Sequence, residues 1–376
     1  MTASNAKGKP VIGLEIGTTK VCVAVGQPKD DGTISILGVV ETPSTGVSEG
    51  EIIDYDAAVA TVRKAIAAAE EQTHVAIRGI HLAVTGEHIR SFNTHATVLL
   101  PDGRPEINQE DLRQLEANAR TVSLPPHHAF LHSIANRYVV DGQERISNPI
   151  GMRCRRLEAE FHIIYGVIAR IQKSIRCVKD LGLDLEDVVF APLAASQTVL
   201  SDAQKQSDAV VIDIGGGTTD YVLYADGVIK HSGALPFGGH NITRAIALRL
   251  QISDEQAETL KIKRPSGEGR NALKNGSSRA ANGTANGADE KLKAIIDSRL
   301  NHMFGVLERL VTQVPEYLLI VGGSCLLRSC SRLATAAFGV RAQVLHPKSG
   351  QAFISPAEAP EFATAIGLIH YATRQR

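Results

Sequence analysis

The sequence predicts an α/β fold made of two similar halves, with a small α+β unit inserted into the first. Three observations lead there. Residues 11–20, V-I-G-L-E-I-G-T-T-K, run an apolar strand into an acid (Glu15), a glycine and two threonines, and an apolar run at 21–25 follows. Residues 209–220, A-V-V-I-D-I-G-G-G-T-T-D, repeat that frame about half a chain later. Such a repeat implies two half-domains built on one plan. Residues 318–324, L-L-I-V-G-G-S, form a third apolar run ending in glycines, a buried strand that lets a flat ring or ribose come close to backbone.

A strand at 34–40 and a Gly/Ser-rich loop at 43–50 follow the first hairpin. Residues 56–71 place Val59, Val62, Ile66 and Ala69 on one helical face, with Asp54 or Asp56 as the cap, and a strand follows at 77–84. From His88 to Ile164 the pattern changes: alternating runs at 89–100, 129–140 and 156–164 surround one helix, from near Asn108 to about Thr121, with Glu110 and Asp111 in its first turn. This is the inserted unit. Residues 166–181 form an amphipathic helix, 185–190 a strand, and Pro192 opens a helix at 193–200. Past the central hairpin, P-F-G-G-H-N at 236–241 (with Gly239) turns into a helix at 242–250. A short helix at 254–261 puts Glu258 and Lys261 on one face. Residues 263–290 are Gly, Asn, Ser and Ala with five basic side chains before Asp289; such a stretch buries almost nothing and is expected to be mobile. A strong amphipathic helix at 292–311, a strand at 318–323, a helix at 326–338 and a strand at 343–345 come next. A closing helix at 360–372 turns Ala363, Ile366, Ile369 and His370 toward the first half.

The phosphate chemistry follows from residue types. Gly215, Gly216 and Gly217 leave backbone N–H groups open, and with the Thr218 and Thr219 hydroxyls they suit an anionic phosphate. Gly17, Thr18, Thr19 and Lys20 offer the same on the other side, with a cation added. Asp213 aims negative charge at that place, which requires a cation between; Mg²⁺ held through water fits, with Glu15 as its counterpart. A plain hairpin with a Gly-rich turn, and a solvated Lys20, remain the simpler alternatives.

Composition bounds the function classes. A chain of 376 residues needs two or more domains. Forty basic residues balance forty acidic ones, so nothing in the charge argues for nucleic acid as partner. The five cysteines, at 22, 154, 177, 325 and 330, have no CxxC spacing and read as buried thiols of a reducing cytoplasm. The polar start lacks the apolar core of a signal peptide, and no apolar run is long enough to span a bilayer.

The two phosphate hairpins, the later G-G turn and the helix between them resemble the actin, sugar-kinase and heat-shock-chaperone ATPase superfamily. Within it, G-L-E-I-G-T-T-K, N-P-I-G-M (148–152), R-L-E-A-E-F-H-I-I (156–164), D-I-G-G-G-T-T-D and A-T-A-I-G-L (363–368) resemble the FtsA family of bacterial division proteins. The resemblance runs from about Val11 to Tyr371 and is weakest at 263–290. It implies an actin-like, ribonuclease H-like duplicated ATPase fold with an inserted subdomain 1C in place of the 1B of actin. The implied boundaries are 1A at 1–86 and 165–205, 1C at 87–164, 2A at 206–240 and 316–360, 2B at 241–315, and a closing helix at 361–376 returning to 1A.

The resemblance also implies ATP and Mg²⁺ as cofactors. Glu258 and Lys261, otherwise a surface ion pair, then face the ribose and adenine, while Gly239, Gly322, Gly323 and Ser324 back the adenosine. No catalytic base stands before Pro192, where Ala191 lies; Gln197 and Asp213 are the weak candidates, and turnover is expected to be slow. Implied partners are the FtsZ C-terminal peptide, on basic side chains of the 292–311 helix (Lys293, Arg299, Arg309), other copies in a filament, and later division proteins through 1C. The expected location is the cytoplasmic face of the inner membrane at the division site. Family members usually continue into a membrane-binding C-terminal amphipathic helix. None follows Arg376 here, so membrane contact is expected through a partner or an absent tail. The alternatives are a related pilus-assembly protein and a small-molecule kinase.

Overall fold

The computed structural model describes residues 8–101, 106–262, 282–311, 313–344 and 359–374, with the backbone alone at Glu144, Arg145 and 282–288. The first half opens with β1 (Val11–Ile16), β2 (Lys20–Pro28) and β3 (Ile34–Pro43). The expected loop at 43–50 contains a minute pair, β4 (Val47–Ser48) and β5 (Glu51–Ile52). Helix α1 (Tyr55–Thr73) starts where the Asp54 carboxylate accepts the Ala57 N–H at 3.1 Å. It buries Ala58, Val62, Ala65, Ile66 and Ala69 and stops at His74, which is left-handed. Strand β6 (Gly79–Val84) then pairs parallel to β1. Strand β1 is apolar on both faces because both are covered. Ile12, Leu14 and Ile16 join the core beneath α1, and Val11 joins a second cluster on the opposite side.

The insert holds β7 (Arg90–Leu99), α2 (Gln109–Ala119), β8 (His128–Val140), β9 (Gln143–Ile146) and β10 (Arg156–Val167), with sheet order β7-β10-β8-β9. Asn108 and Asp111 cap α2 reciprocally. Strand alternation divides β10 between two tasks. Leu157, Ala159, Phe161 and Ile163 pack in the insert core with Leu115 and Ala119 of α2, while Glu160 and His162 face the other way. The helix expected from 166 begins later: Gly166 and Val167 still pair with Ala129 and His128, and α3 runs Ile168–Lys179. Strand β11 (Asp184–Phe190), α4 (Ala191–Val199) and α5 (Asp202–Gln206) lead to the second half.

There β12 (Ala209–Ile214), β13 (Thr219–Ala225) and β14 (Val228–Leu235) precede α6 (Gly239–Leu250), α7 (Asp254–Ile262) and α8 (Asn282–Leu310). The mobile stretch expected at 263–290 is therefore corrected in part. Residues 282–290 are helical, continuous with the apolar face that follows, and 263–281 lie outside the described residues. Strand β15 (Tyr317–Val321) ends in a 3₁₀ turn, Gly323–Leu326; α9 (Cys330–Phe338), β16 (Ala342–Val344) and α10 (Ala363–Arg374) complete the chain. The helix expected at 326–338 is thus a turn plus a shorter helix, and Leu345 lies outside the described residues.

The two halves have one topology. The first sheet runs β11-β6-β1-β2-β3 and the second β16-β15-β12-β13-β14. In each, the first strand pairs antiparallel with its hairpin partner and parallel with the strand beyond the crossover. Helix α10 returns to bury Ala365, Ile366 and Ile369 against Val11, Cys22 and Ala24 of the first half.

Candidate active site

A cavity of about 1470 Å³ lies between the halves, at the ends of β1 and β12. Each hairpin closes with the same turn: Gly17 N–H donates to Lys20 O and Gly215 N–H to Thr218 O, both at 2.9 Å. The tips meet. A Cβ on Gly216 would strike the Thr19 side chain, and one on Gly217 would strike the Thr18 hydroxyl and the Glu49 backbone, so only glycine fits opposite the threonines.

Beneath the tips lies an acidic floor. Glu15, Asp213 and Asp220 line the cavity. Burial, then the charge of Asp213, lifts the Glu15 carboxyl to about 8. Burial lifts Asp213 too, against the Thr364 hydroxyl, which donates to its Oδ2 at 2.7 Å, and against the Lys20 charge. Asp220 is raised well above the carboxylate range by burial and then by Asp213; it accepts the Thr85 hydroxyl and, at 3.4 Å, the Thr218 hydroxyl. Glu15 Oε2 is buried with no hydrogen-bond partner among the described residues. Lys20 is the floor's cation, 3.2 Å from Glu41 and 4.0 Å above the Phe362 ring.

Carboxylate oxygens that repel one another, with threonine hydroxyls beside them, are hard donors and fit a divalent cation such as Mg²⁺. No group of three or more His, Cys, Asp or Glu among the described residues is arranged to grip a metal directly.

The cavity wall beside the second hairpin holds the expected adenosine residues. Gly322 has φ +87, and a Cβ there would strike Asp213 Oδ1; its neighbours Gly323 and Ser324 also line the wall. Ser324 Oγ donates to Gly215 O at 2.9 Å, tying this turn to the second hairpin. Lys261 Nζ reaches Glu258 at 2.8 Å, Thr243 Oγ1 at 2.9 Å and Gly239 O at 3.1 Å. Burial alone would raise Glu258, but Lys261 and Thr243 hold its carboxyl below the ordinary value.

The cavity thus gathers Glu15, Gly17, Thr18, Thr19, Lys20, Asp213, Gly215, Gly216, Gly217, Thr218, Glu258, Lys261, Gly322, Gly323 and Ser324. Three expectations are corrected. Thr219 is fully buried and its hydroxyl donates to Phe237 O at 2.6 Å, because β13 alternation turns it into the second half. Gly239 lies one layer behind the wall, its N–H on Gly215 O. Gln197 faces away from the cleft: its Oε1 accepts Lys205 at 3.0 Å and Arg374 at 2.8 Å. Lys293, Arg299 and Arg309 are all exposed on α8; Lys293 lies at the cavity and pairs with Asp297 at 2.6 Å. Residue reading missed Thr85, Asp220 and Glu361 as cavity residues. For Asp220 the signal was present, two residues after Thr218 in a strand whose alternation returns it to the cleft.

Known proteins corroborate the architecture. The family model for the SHS2 domain inserted in FtsA matches residues 86–165, and that for cell division protein FtsA matches 210–367. The chain is 31% identical over 372 residues to cell division protein FtsA of Neisseria meningitidis, covering 96% of this chain and 89% of the relative. With that of Pseudomonas aeruginosa it shares 28% over 387 residues, covering 100% and 92%. Among solved structures it is similar to a chain of the PilM–PilN type IV pilus biogenesis complex (TM-score 0.67, 16% identity, 96% and 98% covered). It is also similar to ethanolamine utilization protein EutJ from Carboxydothermus hydrogenoformans (TM-score 0.56, 17% identity, 98% and 92% covered). The fold is the duplicated actin-like α/β fold with an inserted α+β subdomain, and the chain belongs to the FtsA family of cell division proteins.

Proposed function

We propose that this chain is an ATP-binding, actin-like division adaptor that polymerises and links FtsZ filaments to the membrane and to later division proteins. The observation that carries the reading is the acidic floor under two opposed Gly–Thr hairpins, in a chain of this family. Lys20 would meet the charge of the phosphates, with N–H groups of both turns beside it. Glu15 and Asp213 would hold a hydrated Mg²⁺, whose charge relieves their repulsion and helps neutralise the phosphates. Gly322, Gly323 and Ser324 would form the wall behind the adenosine, opposite Glu258 and Lys261. The subdomain boundaries given above belong to this reading.

Turnover on this reading is slow. The start of α4 offers Ala191 to the cavity where a side chain would have to orient water, and Gln197 is turned away. Burial holds the nearby Asp220 toward its protonated form, which makes it a poor base. The nucleotide would then act by favouring one arrangement of the halves.

The partner surface is taken to be the exposed face of α8 that carries Arg299 and Arg309, ten residues and about 15 Å apart along the helix. An acidic, extended peptide suits such a face, with Lys293, exposed on the same helix, as the third basic candidate. Titration with a synthetic FtsZ C-terminal peptide tests this. Saturable binding weakened about tenfold by Arg299→Glu is expected. No binding, with ATP binding intact, would contradict the adaptor role.

A further inference from the structure

The free edge of β14 is covered by side chains of the insert. In β14, Lys230 is an extra residue opposite the Leu223–Tyr224 step of β13, so Ile229 and Ser232 turn their backbone groups to the same edge. Asn136 of β8 serves Ile229 in both senses: its Nδ2 donates to Ile229 O at 3.0 Å, and its Oδ1 accepts the Ile229 N–H at 3.2 Å. Ser91 of β7 does the same for Ser232. Its hydroxyl donates to Ser232 O at 2.7 Å and accepts the Ser232 N–H at 3.2 Å. Asn93 Nδ2 donates to Lys230 O at 3.0 Å.

That last bond turns Asn93 Oδ1 toward His162, so Nδ1–H of the imidazole donates to it at 2.7 Å. Nε2 is left to accept the Ser232 hydroxyl at 2.8 Å. His162 is completely buried, and every polar atom of this cluster has a partner. The rim adds Arg137 with Asp226 at 3.6 Å and Lys230 with Glu160 at 3.8 Å.

The insert also grips the first half. Beyond its chain connections, His132 Nε2 of β8 accepts the Phe190 N–H at 3.0 Å, where α4 begins. Helix α4 lies between the halves: Ser196 meets Tyr224 of β13 at 2.9 Å, and Ala191 lines the cavity.

We infer that the insert is a strap from the start of α4 to the edge of β14, so that cavity occupancy and insert position are thermodynamically linked. This rests on the nucleotide reading above. A ligand that changes the angle between the halves must shift β14 against β7, β8 and β10, and the seam then strengthens or opens. Linkage works both ways: loosening the seam must change affinity in the cavity.

The test pairs two readouts on the whole chain. Amide hydrogen exchange of the 228–235 segment is measured with and without ATP–Mg²⁺, and ATP affinity is measured for Ser91→Ala, Asn136→Ala and the double variant. Asn118→Ala, which removes a bond internal to the insert (Asn118 Nδ2 to Thr97 O, 2.8 Å), is the control. We expect ATP–Mg²⁺ to change exchange at Ile229 and Ser232. The double variant should shift the ATP Kd about fivefold, with the control unmoved. ATP binding with unchanged exchange and unchanged Kd in the double variant overturns the strap alone. A wild-type chain that takes no ATP–Mg²⁺ overturns the cavity reading and the strap with it.

Discussion

The cleft floor and the insert seam both join parts of the chain through buried polar groups, and they do so in opposite ways. In the part of the seam around His162 the side-chain donors meet acceptors, and the two buried imidazoles, His162 and His132, are neutral. Burial drives His162 to about 3 and His132 to about 4, and each accepts a hydrogen bond through Nε2. On the floor three carboxyl groups are pressed together and raised, and Glu15 keeps an oxygen without a partner. A satisfied network stabilises a join, whereas an unsatisfied cluster of like charge is destabilising unless something binds there. The contrast separates a structural seam from a site.

The largest effect tests the floor's geometry. Gly322→Val puts a branched side chain at φ +87 and against Asp213, so the turn must shift. A loss of about 3 kcal/mol or more is expected in urea unfolding. A variant as stable as the parent would show that this wall is not tightly built.

The next effect tests the sign of the floor's charge. Glu15 has a folded pKa of about 8 against 4.5 in the free side chain. Its burden on the metal-free fold is absent below pH 4.5, grows as the pH rises, and is complete above about 8. Glu15→Gln should therefore stabilise the metal-free protein at pH 8, on the order of 1 kcal/mol or more, and leave it unchanged at pH 4. Thermal melts across that range decide it; a variant destabilised at pH 8 would contradict the repulsion argument.

The seam titrates the other way. His132 and His162 have folded pKa values depressed below 6.5, so their burden appears as the pH falls from 6.5 toward 4 and is complete near 3. Protection of the Phe190 and Ser232 amides, taken relative to their intrinsic exchange rates at each pH, should fall in that window before global unfolding. Amides that stay protected until the whole chain melts would contradict it.

Much of this was legible in the sequence because the signals were local. Apolar runs that end in acid and glycine marked β1 and β12, one that ends in glycines marked β15, and Asn108 with Asp111 marked the start of α2. What escaped depends on partners distant in sequence. Strand β14 reads V-I-K-H-S-G-A-L, and its bulge at Lys230 breaks the alternation that identifies a strand. Thr218 and Thr219 are indistinguishable by type, yet alternation sends one hydroxyl into the cleft and the other to Phe237. Gln197 lies on the expected helix, but Lys205 and Arg374, from α5 and α10, hold its side chain elsewhere. At 282–290 the low-complexity composition hid a helix continuous with the amphipathic stretch after it.

On the proposed function, the floor binds a nucleotide through a hydrated cation. Calorimetric titration of the chain with ATP, in Mg²⁺ and in EDTA, tests it most directly, with Asp213→Asn alongside. Saturable binding that needs Mg²⁺ and weakens about tenfold or more in Asp213→Asn is the predicted result. Binding that is equal in EDTA, or indifferent to Asp213→Asn, would contradict it.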